Sequence, residues 1–263
     1  MAEARSIYAG ETLRRGAETL APFVVLAIIW QIAALNLPPF LFPPLGAIFW
    51  RVVAIFTSWT EFAHVLATVA RILAGLAGAF VLGAAIAMAM ARSRSVDRFF
   101  SPLLNFFQGI PALSWVVFAI IWFKGTEPRI FFIMLVTSLP AFAFQTLGAL
   151  RAVPKELFEM VLSFRPTKRQ MFSSMILPSI LPEILTAWKV NLGNASRVVV
   201  VAELVGATGG VGYALLQQQQ LFDMAGAMAW TLQLVFFVLL TQAVLSAIER
   251  RAFRYRAVSE RSL

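Results

Sequence analysis

The feature that most constrains this chain is the recurrence of long apolar stretches, at 20–37, 62–91, 102–123, 130–150, 184–205 and 227–248. A helix needs about 20 mainly apolar residues to cross the hydrocarbon core of a bilayer, so each stretch reads as a membrane span. Backbone polar groups in hydrocarbon must bond within their own segment, which makes helices the spanning element for runs of this length. The expectation is an all-α integral membrane protein with six transmembrane helices, in one domain over residues 1–263. Composition agrees, with 60% of residues hydrophobic and 13% charged, against roughly half and about a quarter in soluble domains. Pro38, Pro39, Pro43 and Pro44 end the first stretch and lead into an external connection, because consecutive prolines cannot continue a helix.

The basic residues alternate across these spans. Arg5, Arg14 and Arg15, then Arg92, Arg94 and Arg98, then Arg151, Lys155, Arg165, Lys168 and Arg169, and finally Arg250, Arg251, Arg254, Arg256 and Arg261 all fall on one side. Only Arg51, Lys124 and Arg129 fall on the other, and Arg71, Lys189 and Arg197 lie within spans. Positive charge accumulates on the cytoplasmic side, so both termini and the 151–182 segment are expected there. The net charge of +9 is thereby a matter of topology and does not call for nucleic acid. A cleaved signal peptide is the rival reading of the N-terminus. The apolar run begins about twenty residues in and lacks a small-residue cleavage site, so the first span is read as retained.

Several chemistries are excluded. With no cysteine and the single histidine His64, the chain can build no disulfide, thiolate site or multi-histidine metal cage. No carboxylates cluster, so an acid–base membrane enzyme lacks its residues. An ion-gradient-driven secondary transporter or channel would favour internal repeats. None is evident between residues 1–130 and 131–263.

Polar and small residues mark particular faces. Gly75, Ala79, Gly83 and Ala87 recur every four residues and form a smooth stripe for a neighbouring helix. In the fifth span, Lys189, Ser196 and Glu203 recur every seven residues, with Arg197 beside them, so they share one helical face. Charge inside a span usually faces a partner or a water-filled path. Two readings are open: this face lines a pathway, or Lys189 and Glu203 reach opposite interfaces and only Arg197 lies deep. Asn105 and Gln108 add polarity to the third span as further pathway candidates. Arg71 is expected to find a partner in the bundle, and His64 reads as a bonded helix-end residue. Gly206, Gly209, Gly210 and Gly212 permit a sharp return after the fifth span, before the glutamines at 217–220.

The 151–182 segment, RAVPKELFEMVLSFRPTKRQMFSSMILPSILP, interleaves charges with Leu157, Phe158, Met160, Val161, Leu162 and Phe164 at helical spacing. A tether needs no such apolar content, so the segment reads as short helices lying against something. Its spacing resembles the EAA loop of permease subunits from binding-protein-dependent, ATP-driven importers: Glu-Ala-Ala, three residues, Gly, nine residues, Ile, one residue, Leu-Pro. Glu159, Met160 and Val161 occupy the triplet, Arg165 the glycine position, and Met175 precedes Leu177-Pro178 in register. The stretches FLFPPLGAIFW (40–50), QGIPALSWVVFAIIWFKGTEPRIFF (108–132), VAELVGATGGVGYALL (201–216) and IERRAFRYR (248–256) are similar to the nitrate, sulfonate, taurine and bicarbonate branch of that family.

The resemblance implies a type I importer permease fold in a bacterial inner membrane, working as a pair, most simply a homodimer. Two ATPase subunits would bind ATP and Mg on the cytoplasmic side, since this chain carries no Gly-rich phosphate loop of its own. A periplasmic or lipid-anchored substrate-binding protein would deliver a small solute, expected to be an anion, and membrane lipid surrounds the rest. The 154–178 segment becomes the ATPase-coupling loop, with Glu156, Glu159, Phe164, Arg165, Pro166, Thr167, Lys168, Gln170, Phe172, Leu177 and Pro178 as its coupling residues. Leu177-Pro178 and Pro182 are expected to bend the chain from loop into span. Arg165 resists the left-handed turn a glycine allows, so the expected turn has negative φ, set by Pro166. Ser196 stands where the family often has a large aromatic residue. Its small side chain is expected to widen the path beside Arg197 and admit a solute bulkier than nitrate.

Overall fold

The computed structural model describes residues 2–252, with side chains described for residue 18 and residues 20–251. Arg254, Arg256 and Arg261, the end of the basic tail, lie outside the described residues. All regular structure among the described residues is helical: α1 (Ala2–Asn36), α2 (Leu45–Thr57), α3 (Trp59–Arg92), α4 (Arg94–Gly109), α5 (Ala112–Trp122), α6 (Thr126–Arg151), α7 (Lys155–Ser163), α8 (Lys168–Met171), a π-turn (Phe172–Ile176), α9 (Leu177–Leu204), α10 (Val211–Gln220) and α11 (Met224–Ala252).

The centre is α3 packed on α6, with α9 closing the third side. Ile72, Leu76, Ile133, Met134, Phe142, Leu192 and Val199 are buried there. The small-residue stripe is what allows the contact. A Cβ added to Gly75 would stand 2.5 Å from the Met134 Cβ, and one on Gly83 would stand 2.9 Å from the Leu139 carbonyl oxygen. Any larger residue would push the helices apart, so α6 docks where the spacing predicts a neighbour. By contrast α1 and α11 turn most of their apolar side chains outward, as helices facing lipid or another chain do. The described part of α1 is tied to the connection before α2 by Trp30, whose ring lies tilted against Phe42 at 4.8 Å and which donates from Nε1 to the Pro43 carbonyl at 3.0 Å.

Among the described residues four helices are long and apolar enough to cross a membrane: α3, α6, the continuous run Lys168–Leu204, and α11. The stretch expected as one straight third span is two helices, α4 and α5, meeting at 92°. Pro111 is the cause. It has no N–H to continue the ladder and drives Ile110 into extended backbone, at φ −80° and ψ 125°. Trp115 stacks on Phe107 across the bend at 5.6 Å. The first apolar stretch lies in the second half of α1, and the segment expected as a connection holds α2, too short to span.

Candidate functional site

The basic end of the bundle carries the 154–178 segment. Pro154 starts α7 with extended backbone at its N-cap, and none of the nine residues of α7 is buried. Phe158, Met160, Leu162 and Phe164 are exposed, Phe164 at 79%, and Glu156 and Glu159 are exposed beside them. The helix ends when the Arg165 N–H donates to the Leu162 carbonyl at 2.9 Å. Arg165 then adopts φ 49°, in the left-handed region. The expected negative-φ turn is therefore wrong. The arginine takes the conformation a glycine would hold, at a cost of about 1–2 kcal/mol, because only that conformation reverses the chain directly after α7.

A capping box follows. The Thr167 hydroxyl accepts from the Gln170 N–H at 3.3 Å, and Gln170 Oε1 accepts from the Thr167 N–H at 2.9 Å. These reciprocal bonds satisfy the first turn of α8. Helix α8 then continues through the π-turn into α9 as one helical run, so Leu177-Pro178 does not interrupt the helix. In a regular α-turn the Pro178 ring would collide with the Ser174 carbonyl four residues back. The wider π-turn, closed by the Leu177 N–H on the Phe172 carbonyl, makes room for it. Phe172, Lys168, Leu177 and Pro178 are exposed and Pro166 is half-buried. Between α7 and α9 lies a cavity of about 470 Å³, lined by Leu157, Val161, Ser174, Met175, Ser179 and Glu183 among others. At this end Arg151 also pairs with Asp97 at 2.6 Å, joining α6 to α4.

The opposite end holds a buried polar knot. Glu203, 1% exposed, accepts from Arg71 Nη1 at 2.7 Å and from the Gly212 N–H at 2.9 Å. The Thr68 hydroxyl lies 2.9 Å from both its oxygens and itself accepts from the Val211 N–H at 2.8 Å. Arg71 also donates to the Gly209 carbonyl at 2.7 Å and, through Nη2, to the exposed Glu127 at 2.6 Å. His64 Nδ1 accepts from the Gly210 N–H at 3.1 Å. Arg129, 7% exposed, donates to the Gly206 carbonyl at 2.5 Å. Gly210 has φ +115°, and a Cβ there would stand 2.4 Å from the Glu203 carboxyl carbon, so only glycine fits. The knot ties the 205–210 return and α10 to α3, α6 and α9.

The pathway candidates separate. Lys189 pairs with Glu249 of α11 at 2.5 Å. Ser196 is 1% exposed and donates to the Leu192 carbonyl at 2.8 Å, so its size sets packing inside the chain and not the width of an open face. Glu203 sits in the knot. Arg197 is exposed, on a face of α9 shared with Glu183, Thr186, Val190 and Asn194, and forms no ion pair among the described residues. Asn105 and Gln108 are exposed on α4. Sequence reasoning missed Thr68, Glu127 and Arg129 as knot members. His64, Thr68 and Arg71, spaced four and three apart on one helical face, were the available signal.

No group of three or more His, Cys, Asp or Glu side chains that would hold a metal ion occurs among the described residues. A helical membrane bundle with a small-residue helix contact, a buried polar knot and an uncovered amphipathic loop has the build of a transport subunit. Its fold is that of type I importer permeases: it aligns with a chain of the MetNI methionine ABC transporter at TM-score 0.66 and 22% identity, over 74% of this chain and 96% of that one. The chain belongs to the family of binding-protein-dependent transport system inner membrane components, whose model matches residues 79–254. It is 27% identical to the taurine transport system permease protein TauC of Escherichia coli, over 87% of this chain and 85% of that protein. It is 30% identical to the formylaminopyrimidine transport permease protein ThiX of Halalkalibacterium halodurans, over 82% of this chain and 88% of that protein. The chain is thus a multi-pass inner-membrane permease subunit of a binding-protein-dependent ABC importer, and not an enzyme. In such systems a separate ATPase subunit binds the nucleotide.

Proposed function

We propose that two copies of this chain form the pathway for a small anion of the sulfonate class, with six spans and both termini on the cytoplasmic side. The observation that carries the solute class is Arg197, an exposed guanidinium on the open face of α9 that has no acidic partner among the described residues. A cation uncompensated at membrane depth is costly unless it faces water or an anion. The similarity to a taurine permease supports the same class. The orientation rests on the bias of basic residues toward the termini and the 92–98 and 151–169 segments.

In this reading the 154–178 segment couples two ABC ATPase subunits, which hold ATP and Mg, to the pathway. The exposed Phe158, Met160, Leu162 and Phe164 enter a groove of the ATPase, and Glu159, whose side chain forms no ion pair among the described residues, meets a basic residue there. Arg165, Pro166, Thr167, Lys168 and Gln170 shape the turn that presents them. The substrate-binding protein docks at the knot end.

Reconstitution with an ATPase and a binding protein tests the proposal. Uptake of taurine should exceed that of formylaminopyrimidine, and Arg197→Ala should lower taurine uptake by about tenfold or more. Equal uptake by the Arg197→Ala variant would make that residue structural. Gradient-driven uptake by the chain alone, with no ATPase, would instead point to a secondary transporter.

A further inference from the structure

The run from Lys168 to Leu204 is one continuous helix, yet its two ends are held very differently. Toward Leu204 it is locked by the bonds of Glu203 to Arg71, Thr68 and Gly212. Toward Lys168 it contains five residues of π-helix, Phe172–Ile176. Such turns arise where the regular ladder cannot close and often sit at functional positions. Two further ladder bonds are missing just beyond, because Pro178 and Pro182 have no N–H to offer the carbonyls of Ser174 and Pro178. A helix with a widened turn and two absent bonds bends more easily there than anywhere else along its length.

A second observation lies beside that turn. Protein interiors are close-packed and resist displacement, but the space between α7 and the start of α9 is an opening of about 470 Å³. Its walls include the small or pliant side chains Ala149, Ala152, Ser174, Met175 and Ser179, beside the bulkier Leu157 and Val161 of α7 and Pro178 and Glu183 of α9. No ion pair crosses it among the described residues. On the far side, α7 joins α6 through the short link of Ala152, Val153 and Pro154, so the segment is attached at two narrow points.

We infer that the π-turn is a hinge on which the Lys155–Met171 segment swings against α9, with the cavity beneath α7 as the space it moves into. This rests on the coupling reading above and adds where the motion occurs. Beyond the hinge α9 is stiff and tied by the knot to α3, α6 and α10, so a tilt at its start is carried to the far end of the bundle as a rigid displacement.

The absence of native cysteine makes a distance measurement direct. Spin labels at Lys155→Cys and Val190→Cys flank the hinge in the full complex with ATPase subunits and binding protein. The distance between them should shift by about 2–5 Å between nucleotide-free and ATP-trapped states. Ala152→Phe, which fills the cavity from the end of α6, should abolish the shift and lower uptake about tenfold while ATPase subunits still co-purify. Pro178→Ala, which restores a donor for the Ser174 carbonyl, should reduce the shift. An unchanged distance in the otherwise native complex, with uptake proceeding, would overturn the hinge and leave coupling intact. Undiminished ATPase co-purification with a Phe164→Ser chain would overturn the coupling reading, and the hinge with it.

Discussion

At the basic end, α7 buries none of its residues and presents three large apolar side chains outward, with a fourth, Phe164, at its C-cap. At the other end, Glu203 is 1% exposed and held by Arg71, Thr68 and Gly212. Both regions are rich in charge and both connect helices, so composition does not separate them. Satisfaction of polar groups and coverage of apolar ones does. The knot spends its groups on its own chain and fixes four elements as one body. The loop leaves its groups unspent, which is what a surface that acts on another protein requires. A permease needs both: a rigid frame to carry a displacement, and an adhesive surface to receive it.

The contrast can be broken by substitution, beginning with the knot. Glu203→Ala leaves Arg71 half-buried beside the uncovered Gly212 N–H. It should cost about 3–5 kcal/mol, read as a lowered midpoint in thermal unfolding of the detergent-solubilised chain. If the midpoint holds, the knot is not the frame.

Smaller effects sharpen the comparison. Arg165→Gly removes the left-handed penalty at the end of α7 and should stabilise the chain by about 1 kcal/mol, with uptake unchanged; a destabilised variant would show that the arginine side chain holds the turn. Glu127→Gln weakens only the solvent-facing arm of Arg71, where an exposed pair contributes about 0–1 kcal/mol, so chemical denaturation should barely separate it from the native chain. Phe164→Ser, at an exposed position, should leave stability within about 0.5 kcal/mol. The order reverses in ATPase capture by pull-down, where Phe164→Ser should show the largest loss and Glu127→Gln none.

Much of the frame was legible in the linear chain. Apolar runs of spanning length located α3, α6, α9 and α11, since hydrocarbon admits little else, and the Gly75–Ala87 stripe predicted a close neighbour without saying which. The Glu159, Arg165 and Leu177-Pro178 spacing marked the exposed segment. Its local geometry was misjudged at one turn. Arg165 took the left-handed turn because reversing the chain outweighed about a kilocalorie of backbone preference. Pro178 is accommodated inside a continuous helix, because the π-turn before it relieves the clash with the preceding carbonyl.

The α9 face was the larger miss. A seven-residue repeat placed Lys189, Ser196 and Glu203 on one side of a helix, as it must. It could not tell that this side meets α11 at Glu249, its own backbone at Leu192, and α3 at Arg71 and Thr68. Periodicity and composition are properties of a segment, so helices, their apolar lengths and the bias of basic charge follow from the order of residues. Which charge meets which is a property of the register between helices that lie 132 and 135 residues apart in the chain. That register is decided only when the helices pack, because the free energy of burying Glu203 depends on donors that no neighbouring residue supplies.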